Sequence, residues 1–339
     1  MAASQSNLKS ENHHHIVALE AHFCPIPEFK LPSPYTYTLE TYPKTLKDQI
    51  PERIRDASIV ITTTIRLDAS VLSAEISPKL QLIAVMATGT DSVDLKSCMK
   101  RGIVVCRCAG ANVTAVSEHA IGMYFATRRK FYQTQTATRG GQWPLKGSLI
   151  PILEDRNKKM PLTCEEETIG LIGYGKIGQR IGRLAKLLGM KVIVAERKGA
   201  KCVREGRTAF DEVLRDSTVL AVVIPRNPET IGLIGQFELS RMSSSAVLIN
   251  VSRGDIVDES AVVHALQTHQ IAGAAFDVFS QEPANSSTSP LLAADTEGLN
   301  VLTTPHTAWL ANATMTSLQR MVREAVEGWC AGKPVQVVV

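Results

Sequence analysis

The sequence contains no uninterrupted apolar run long enough to span a lipid bilayer, which argues against an integral membrane protein. It also lacks a dense block of either charge. The 37 Lys and Arg residues are nearly balanced by 33 Asp and Glu residues, leaving a net charge of +4. Proteins that bind nucleic acid or a membrane surface through charge usually show a basic patch. We therefore expect neither kind of partner.

Neither a disulfide framework nor a secretory leader is expected. The seven cysteines are odd in number and scattered, and the pair Cys106 and Cys108 has no second pair nearby. The start of the chain, MAASQSNLKSENHHH, has no apolar stretch of the kind that directs secretion. We expect reduced thiols and a cytoplasmic protein. We interpret His13–His15 as part of a mobile polar tail and predict no metal site.

What the sequence does contain is a long alternation of apolar segments and helical stretches. With 339 residues, 44% of them hydrophobic, two domains are expected. One long helix is predicted over 112–139 from its apolar spacing. Runs in which apolar and polar residues do not alternate are typical of strands covered on both faces. Because such runs alternate with helical stretches, we predict an α/β fold with doubly wound parallel sheets. The predicted strands are 58–63, 80–87, 102–107, 168–173, 191–196, 218–225, 246–251, 271–278 and 300–304.

A glycine pattern follows the strand at 168–173 and opens a helix, in the sequence GLIGYGKIGQRIG. Gly173 permits the tight turn, Gly175 lets the backbone approach a pyrophosphate, and Gly178 lets helix and strand pack closely. The helix N-terminus then offers amides and a positive dipole to phosphate. This context predicts a dinucleotide site of the Rossmann type, the alternative being a tight turn that binds no nucleotide.

The end of the next strand bears on the choice of cofactor. Glu196 lies 23 residues after Gly173, where an acidic residue can bind the ribose hydroxyls of NAD and repel the 2′-phosphate of NADP. Arg197 and Lys198 follow directly and could attract that phosphate instead. The sequence therefore favours NAD slightly and leaves NADP open.

Three later strand ends introduce charged residues. Arg253 follows one strand, Glu282 comes shortly after the next, and His306 follows the last, in TTPHTAW. Ligands of open parallel sheets bind beyond the carboxyl ends of the strands, so these side chains can converge on one crevice. Taken singly, each has a simpler explanation: a surface ion pair, a loop charge and a buried core histidine. Their order behind a dinucleotide turn favours a shared site.

Several segments together resemble the D-isomer-specific 2-hydroxyacid dehydrogenase family over about residues 58–330. DVFSQEP, followed by SPLL and TPHTAW, most resembles its glycerate dehydrogenase and hydroxypyruvate (glyoxylate) reductase branch. The matching motifs are MATGTDSVDL, RGIVVCRCAGANVTAVSEHAIGM, GLIGYGKIGQRIG, PETIGLI, LINVSRGDIVDESAVVHAL, IAGAAFDVFSQEP and NVLTTPHTAW.

The resemblance implies a domain layout and an assembly. A discontinuous, flavodoxin-like substrate domain would comprise residues 1–111 with 309–339, and a dinucleotide-binding domain would comprise 112–308. The partners would be a small 2-oxo or 2-hydroxy acid and a second copy of the chain, joined through the nucleotide domain as a homodimer.

The resemblance also implies roles for individual residues. Arg253 would orient the substrate, His306 would act as acid and base, and Glu282 would be the partner of the histidine. Thr88 and Gly89 would offer backbone amides to the substrate carboxylate. Apart from the resemblance, the position of Trp309 three residues past His306 makes it a candidate substrate contact, the alternative being simple packing. The residues implied in cofactor binding are the three glycines and Glu196, Arg197 and Lys198 named above, with Lys176, Ile177, Pro225, Thr230, Val251, Ser252 and Asp277.

The implied reaction is hydride transfer between NAD or NADP and C2 of a small 2-oxo acid of the glyoxylate or hydroxypyruvate type. Imidazole suits the accompanying proton transfer because it gains and loses a proton near neutrality. A different class of function stays open, namely a dinucleotide-sensing corepressor that binds proteins on the same fold. A related oxidation of formate or phosphite on this scaffold has no specific support in the sequence.

Overall fold

Eleven strands form two parallel sheets in the computed structural model, which describes residues 12–296 and 298–339. The strands are β1 (His13–Ala18), β2 (Thr36–Thr41), β3 (Ile59–Thr62), β4 (Leu82–Val85), β5 (Val104–Arg107), β6 (Thr168–Ile172), β7 (Lys191–Val194), β8 (Val219–Val222), β9 (Val247–Asn250), β10 (Gly273–Phe276) and β11 (Val301–Thr303). The helices are α1 (Ile50–Ile54), α2 (Leu95–Arg101), α3 (Val113–Arg128), α4 (Phe131–Arg139), α5 (Gln142–Lys146), α6 (Ile150–Leu153), α7 (Lys176–Leu187), α8 (Phe210–Asp216), α9 (Gln236–Arg241), α10 (Glu259–Gln267) and α11 (Asn312–Cys330). Short 3-10 helices lie at Lys47–Gln49, Cys164–Glu166, Gly254–Ile256, Pro290–Leu292 and Ala294–Thr296.

The chain divides into two units. The first combines the described residues up to Asn112 with Leu310–Val339, and the second is Val113–Trp309. In the first unit the strand order is β2-β1-β3-β4-β5, the flavodoxin-like order. Neighbouring strands are parallel, with Ile16 opposite Ile59 and Ile59 opposite Leu82.

The sheet of the second unit has the order β11-β10-β9-β8-β6-β7. A parallel bridge between Ala195 and Thr208 continues it beyond β7, in the place of the third strand of a dinucleotide-binding sheet. The strand order reverses between β6 and β8, and ligands of such sheets bind at the crevice formed there. The predicted α/β fold class with doubly wound parallel sheets is confirmed.

All nine strands predicted from apolar runs are present, each shortened by one to four residues. Every residue of β3, β4, β8, β9 and β10 is buried, as expected for strands covered on both faces. Within the described ranges, no helix has both the length and the apolar character that crossing a bilayer would require.

The interpretation of His13–His15 as a mobile tail is wrong. These residues begin β1, an interior strand that pairs with β2 and β3. The side chain of His14 is buried and stacks on Tyr35 with ring centroids 5.3 Å apart, while its Nδ1 lies 3.2 Å from the Ser58 hydroxyl. Three consecutive histidines look polar in sequence, but one imidazole packs here as an aromatic ring.

The single helix predicted over 112–139 is also wrong, because the chain forms α3 and α4 with a break between them. Lys130 has a φ of 48°, a left-handed conformation that ends helical hydrogen bonding. Its ammonium group donates to the carbonyl groups of Ile152 and Glu154, at 2.8 and 3.2 Å. This long-range contact holds the break, and apolar spacing gives no signal of it.

One buried arginine connects the amino ends of three strands in the second unit. Arg128 pairs with Glu167, just before β6, at 2.6 Å between Nε and Oε1. It also donates to the carbonyl of Thr218, before β8, and to that of Ser245, before β9. Glu167 has no exposed side-chain surface, so neither charge is stabilised by water. The ion pair and the hydrogen bonds to these carbonyls must instead stabilise both charges.

Candidate active site

The carboxyl ends of β9, β10 and β11 lie side by side in the sheet and carry the charged residues singled out in the sequence. His306 Nδ1 lies 2.6 Å from Glu282 Oε2, and the second carboxylate oxygen of Glu282 accepts the Phe279 amide at 2.9 Å. The two side chains are 39% and 34% exposed, so the pair is accessible from solvent. The predicted convergence of these two segments is therefore present.

The electrostatics of Glu282 also involve Arg253. Burial on its own would raise the pKa of the Glu282 carboxyl. The hydrogen bond and attraction of His306, the Phe279 amide and the positive charge of Arg253 outweigh that effect, so the pKa lies below its usual value. Glu282 is thus a carboxylate at neutral pH, available to accept the N–H of the imidazole.

The turn that presents Arg253 is built by Asn250, a fully buried residue at the end of β9. Its amide nitrogen donates to the Arg253 carbonyl at 2.8 Å, and its oxygen accepts the Ser252 amide and hydroxyl at 3.1 and 2.8 Å. One side chain therefore fixes the backbone of both residues. The guanidinium Nη1 of Arg253 donates to the Ser252 carbonyl at 2.7 Å.

The loop that presents His306 has an unusual backbone. His306 has a φ of 54°, in the left-handed region, and its amide donates to the carbonyl of Asp277 at 2.7 Å. The indole N–H of Trp309 donates to the His306 carbonyl at 2.9 Å. Trp309 therefore supports the loop through its indole nitrogen.

The glycine turn has the shape predicted for a dinucleotide site. A Cβ at Gly173 or Gly178 would overlap a backbone carbonyl, whereas a Cβ at Gly175 would have no heavy atom within 4 Å. Helix α7 begins at Lys176 and Ile177, and no side chain caps its first amides. These residues fit a pyrophosphate, because they leave open space and amide donors at the N-terminus of a 12-residue helix.

Glu196, the predicted ribose ligand, is buried and tightly bound to Arg204. Two bonds of 2.7 Å join the guanidinium to the two carboxylate oxygens, and the amides of Arg197 and Arg204 donate to the same group. Hydrogen bonds from Arg204, followed by the Arg197 amide, lower the pKa of this carboxyl to about 2. The side chain of Lys198 points elsewhere and pairs with Glu238 at 2.7 Å.

The remaining predicted cofactor residues lie at the same edge of the sheet. In the loop after β8, the Thr230 hydroxyl donates to the Pro225 carbonyl at 2.9 Å, which closes this loop. Val251 is buried directly after β9. Asp277 is buried after β10, and its carboxylate accepts hydrogen bonds from the loop that carries His306.

Thr88 and Gly89, predicted to contact substrate, belong to the other unit. They follow β4, at the carboxyl edge of the first sheet. The Thr88 hydroxyl lies 3.2 Å from the Cys108 carbonyl and 3.0 Å from Asn112 Oδ1. This loop is therefore tied to the segment that leads into α3.

Comparison with known proteins decides the family. A family model described as "D-isomer specific 2-hydroxyacid dehydrogenase, NAD binding domain" matches residues 121–308. The chain is also 33% identical over 315 residues to the glycerate dehydrogenase of Methylorubrum extorquens, a match that spans 92% of this chain and 94% of the relative. The chain belongs to the D-isomer-specific 2-hydroxyacid dehydrogenase family. As a D-2-hydroxyacid dehydrogenase it is an oxidoreductase with an NAD-binding domain, which confirms the predicted enzyme class.

Solved structures of two reductases share the fold. An acyclic imino acid reductase in complex with NADPH and D-Arg has a TM-score of 0.77 and 27% identity, over 96% of this chain and all of that one. The NADPH-dependent glyoxylate/hydroxypyruvate reductase of Sinorhizobium meliloti has a TM-score of 0.74 and 26% identity, over 96% of this chain and 97% of that one. The corepressor alternative gains no support from these comparisons.

Several residues that build the site were not predicted from sequence. Asn250 and Thr304 fix the turns of Arg253 and His306, and Arg204 neutralises Glu196. Glu259 accepts the Ser280 amide at 2.6 Å and thereby holds the loop of Glu282. Asparagine at a strand end is a turn signal that was available. Thr304 and Glu259 act on residues more than 20 positions away, and Arg204 pairs with Glu196, eight positions before it; none of these pairings has a local sequence pattern.

Proposed function

We propose that this dehydrogenase reduces a small 2-oxo acid of the glyoxylate or hydroxypyruvate type at C2, with His306 as the acid that protonates the carbonyl oxygen. The contact between Glu282 and Nδ1 of His306, beside the turn of Arg253, carries the proposal. Because Nδ1 of His306 is hydrogen-bonded to the Glu282 carboxylate, Nε2 is the ring nitrogen that would exchange a proton with the substrate.

The protein's own part in the reaction is orientation, charge and proton transfer. A bound nicotinamide dinucleotide would supply the hydride. Arg253 would hold the substrate by its carboxylate and carbonyl oxygen, because a guanidinium donates two parallel hydrogen bonds. It would also stabilise the negative charge that develops on the carbonyl oxygen. Glu282 would stabilise the imidazolium of His306, and the amides of Thr88 and Gly89 would bind the substrate carboxylate.

Steady-state kinetics of single variants test this assignment. We expect His306→Gln to retain dinucleotide binding and to lose about 10²- to 10⁴-fold in kcat, the range attributable to acid–base catalysis. Arg253→Ala should impair both kcat and KM, because it removes ground-state and transition-state contacts. His264→Gln, at an exposed position of α10, is the matched control and should behave as wild type. Turnover by His306→Gln within a few-fold of wild type would remove the histidine from the acid–base role.

The substrate itself is identified by a panel of 2-oxo acids assayed with NADH and NADPH. We expect glyoxylate and hydroxypyruvate to give higher kcat/KM than pyruvate or a bulky aromatic 2-oxo acid. The glycerate dehydrogenase and the glyoxylate/hydroxypyruvate reductase among the similar proteins support this choice. A panel in which the bulky acid is preferred would refute the substrate class without affecting the role of His306.

For the cofactor we infer a preference for NADP(H). The sequence favoured NAD slightly because Glu196 would repel a 2′-phosphate, but two bonds from Arg204 offset that charge. Arg197 is exposed on this loop and would attract the phosphate, and the guanidinium N–H groups of Arg204 that do not bind Glu196 would donate to it. The two similar reductases described above act with NADPH or bind it.

The ratio of kcat/KM for NADPH to that for NADH measures this preference. Arg204→Ala should lower the ratio at least about tenfold, because it removes a phosphate ligand and releases the Glu196 charge. Lys191→Ala, at an exposed position at the start of β7, should leave the ratio unchanged. A wild-type enzyme that prefers NADH would overturn the inference.

The expected homodimer also has physical support. Exposed apolar side chains are concentrated between α4 and α6 and are costly to leave in water. They are Phe131, Tyr132, Trp143, Leu145 and Ile150. Leu145→Glu should therefore yield a monomer in analytical ultracentrifugation. Leu187→Glu is the matched control, since Leu187 is as exposed as Leu145, at 85% and 84%. A dimer that persists in Leu145→Glu would exclude this surface. We also propose a cytoplasmic location, because none of the seven cysteines forms a disulfide.

A further inference from the structure

The loop that carries His306 is held from behind by one buried carboxylate. Asp277 Oδ1 accepts the Thr304 hydroxyl at 2.6 Å and the Thr307 amide at 2.8 Å, and Oδ2 accepts the Ala308 amide at 3.0 Å. Two of these donors follow His306 and one precedes it. Asp277 therefore fixes both sides of the residue, and its own carbonyl accepts the His306 amide.

A second histidine contacts this arrangement from helix α3. Nε2 of His119 lies 3.0 Å from the Thr304 hydroxyl oxygen and 3.7 Å from Asp277 Oδ1. A threonine hydroxyl has one hydrogen, and Thr304 gives it to Asp277, because a carboxylate can only accept. The hydroxyl oxygen must then accept from His119, so Nε2 of His119 carries a hydrogen. The order of donation is His119 to Thr304 to Asp277.

We propose that His119 is a positioning residue for the acid–base histidine. It orients the Thr304 hydroxyl, which in turn orients the Asp277 carboxylate that organises residues 304–308. This inference rests on the proposed function of His306. A loop residue held at a φ of 54° keeps that conformation only where its surroundings determine it. The hydrogen bonds from His119 to Thr304 and from Thr304 to Asp277 help to hold that conformation.

The exposure of His119 distinguishes it from a packed core residue. Its side chain is 26% exposed, whereas that of Asp277 is 2% exposed. A histidine retained only to fill space would be covered by its neighbours. The polar contact with Thr304 connects residues 185 positions apart, so it joins α3 to the far end of the sheet.

Two pairs of variants of the full-length enzyme test the proposal. His119→Leu and Thr304→Val each remove one link and should lower kcat by about 10- to 100-fold, because small displacements of a catalytic group have effects of this size. KM for the 2-oxo acid and Kd for the dinucleotide should change little. His119→Gln, which restores a donor near the Nε2 position, and Thr304→Ser, which keeps the hydroxyl, should recover most of kcat.

The links should also be coupled. In His119→Leu combined with Thr304→Val, the loss in kcat should be well short of the product of the two single losses. If His119→Leu keeps wild-type kcat while His306→Gln is inactive, this proposal is overturned and the proposed function stands. If His306→Gln is active, the proposed function itself fails. Parallel losses of kcat and Tm without rescue by His119→Gln would show a structural role only and would also overturn the proposal.

Discussion

Gly254→Ala is expected to separate the two segments that carry the proposed catalytic residues. A Cβ at residue 254 would lie 1.8 Å from the carbonyl carbon of Phe279 and 2.2 Å from the Ser280 nitrogen. Real Cβ contacts essentially never fall below 3.0 Å, so the backbones must move apart by 1.2 Å, the difference between 3.0 and 1.8 Å. Arg253 precedes Gly254, and the Phe279 amide binds Glu282, so this displacement changes the distance from Arg253 to the pair of Glu282 and His306.

A misplacement of about 1 Å can cost up to about 100-fold in rate, which sets the expected loss in kcat. The assay is reduction of glyoxylate at saturating dinucleotide, with kcat normalised to the folded fraction measured by circular dichroism. Gly122→Ala in α3 is the matched control, because its Cβ has no heavy atom within 4 Å and alanine favours a helix. If Gly254→Ala retains kcat within twofold of wild type, the close backbone approach does not position the site and the reasoning is wrong.

Three further changes probe the cofactor turn, the buried ion pair and the buried histidine. Gly175→Ala should keep the wild-type Tm and weaken dinucleotide binding at least about tenfold in fluorescence titrations. Gly178→Ala should weaken binding and also lower Tm, because its Cβ would overlap a backbone carbonyl. Glu167→Gln leaves the Arg128 charge buried and should lower the free energy of urea unfolding by ~3–5 kcal/mol; a change below 1 kcal/mol would contradict the interpretation of the pair. Burial, followed by repulsion from His13, lowers the pKa of His14 below its ordinary value of 6.5. The neutral imidazole of His14 therefore contributes its full stabilisation above pH 6.5, and this stabilisation is lost as the pH falls below that value. The loss of unfolding free energy from pH 7 to pH 5 should therefore be smaller in His14→Phe, and an equal loss in both proteins would refute this effect.

The predictable part of the fold is the part that sequence periodicity encodes. Near-continuous apolar runs identified β3–β11, and in β3, β4, β8, β9 and β10 every residue is buried, as expected for strands covered on both faces. Strand β1 was missed, since its first residues are three histidines and one of them is buried against aromatic rings. The break at Lys130 was missed because carbonyl groups more than 20 residues away hold it.

The candidate site divides in the same way. Arg253, Glu282 and His306 were found because each follows a strand, and adjacent parallel strands bring their ends together. Their supporting partners were not found. Arg204 neutralises Glu196, which would otherwise repel the 2′-phosphate of NADP. No pattern in the sequence indicates that pairing. Pairings of this kind depend on side-chain directions that only the assembled sheet determines.

The position of the Arg128 cluster has a consequence for how this enzyme can adapt. Its buried charges hold the amino ends of β6, β8 and β9, while the proposed catalytic residues follow the opposite ends of the strands. Substitutions in this cluster are therefore expected to change thermal stability more than they change kcat.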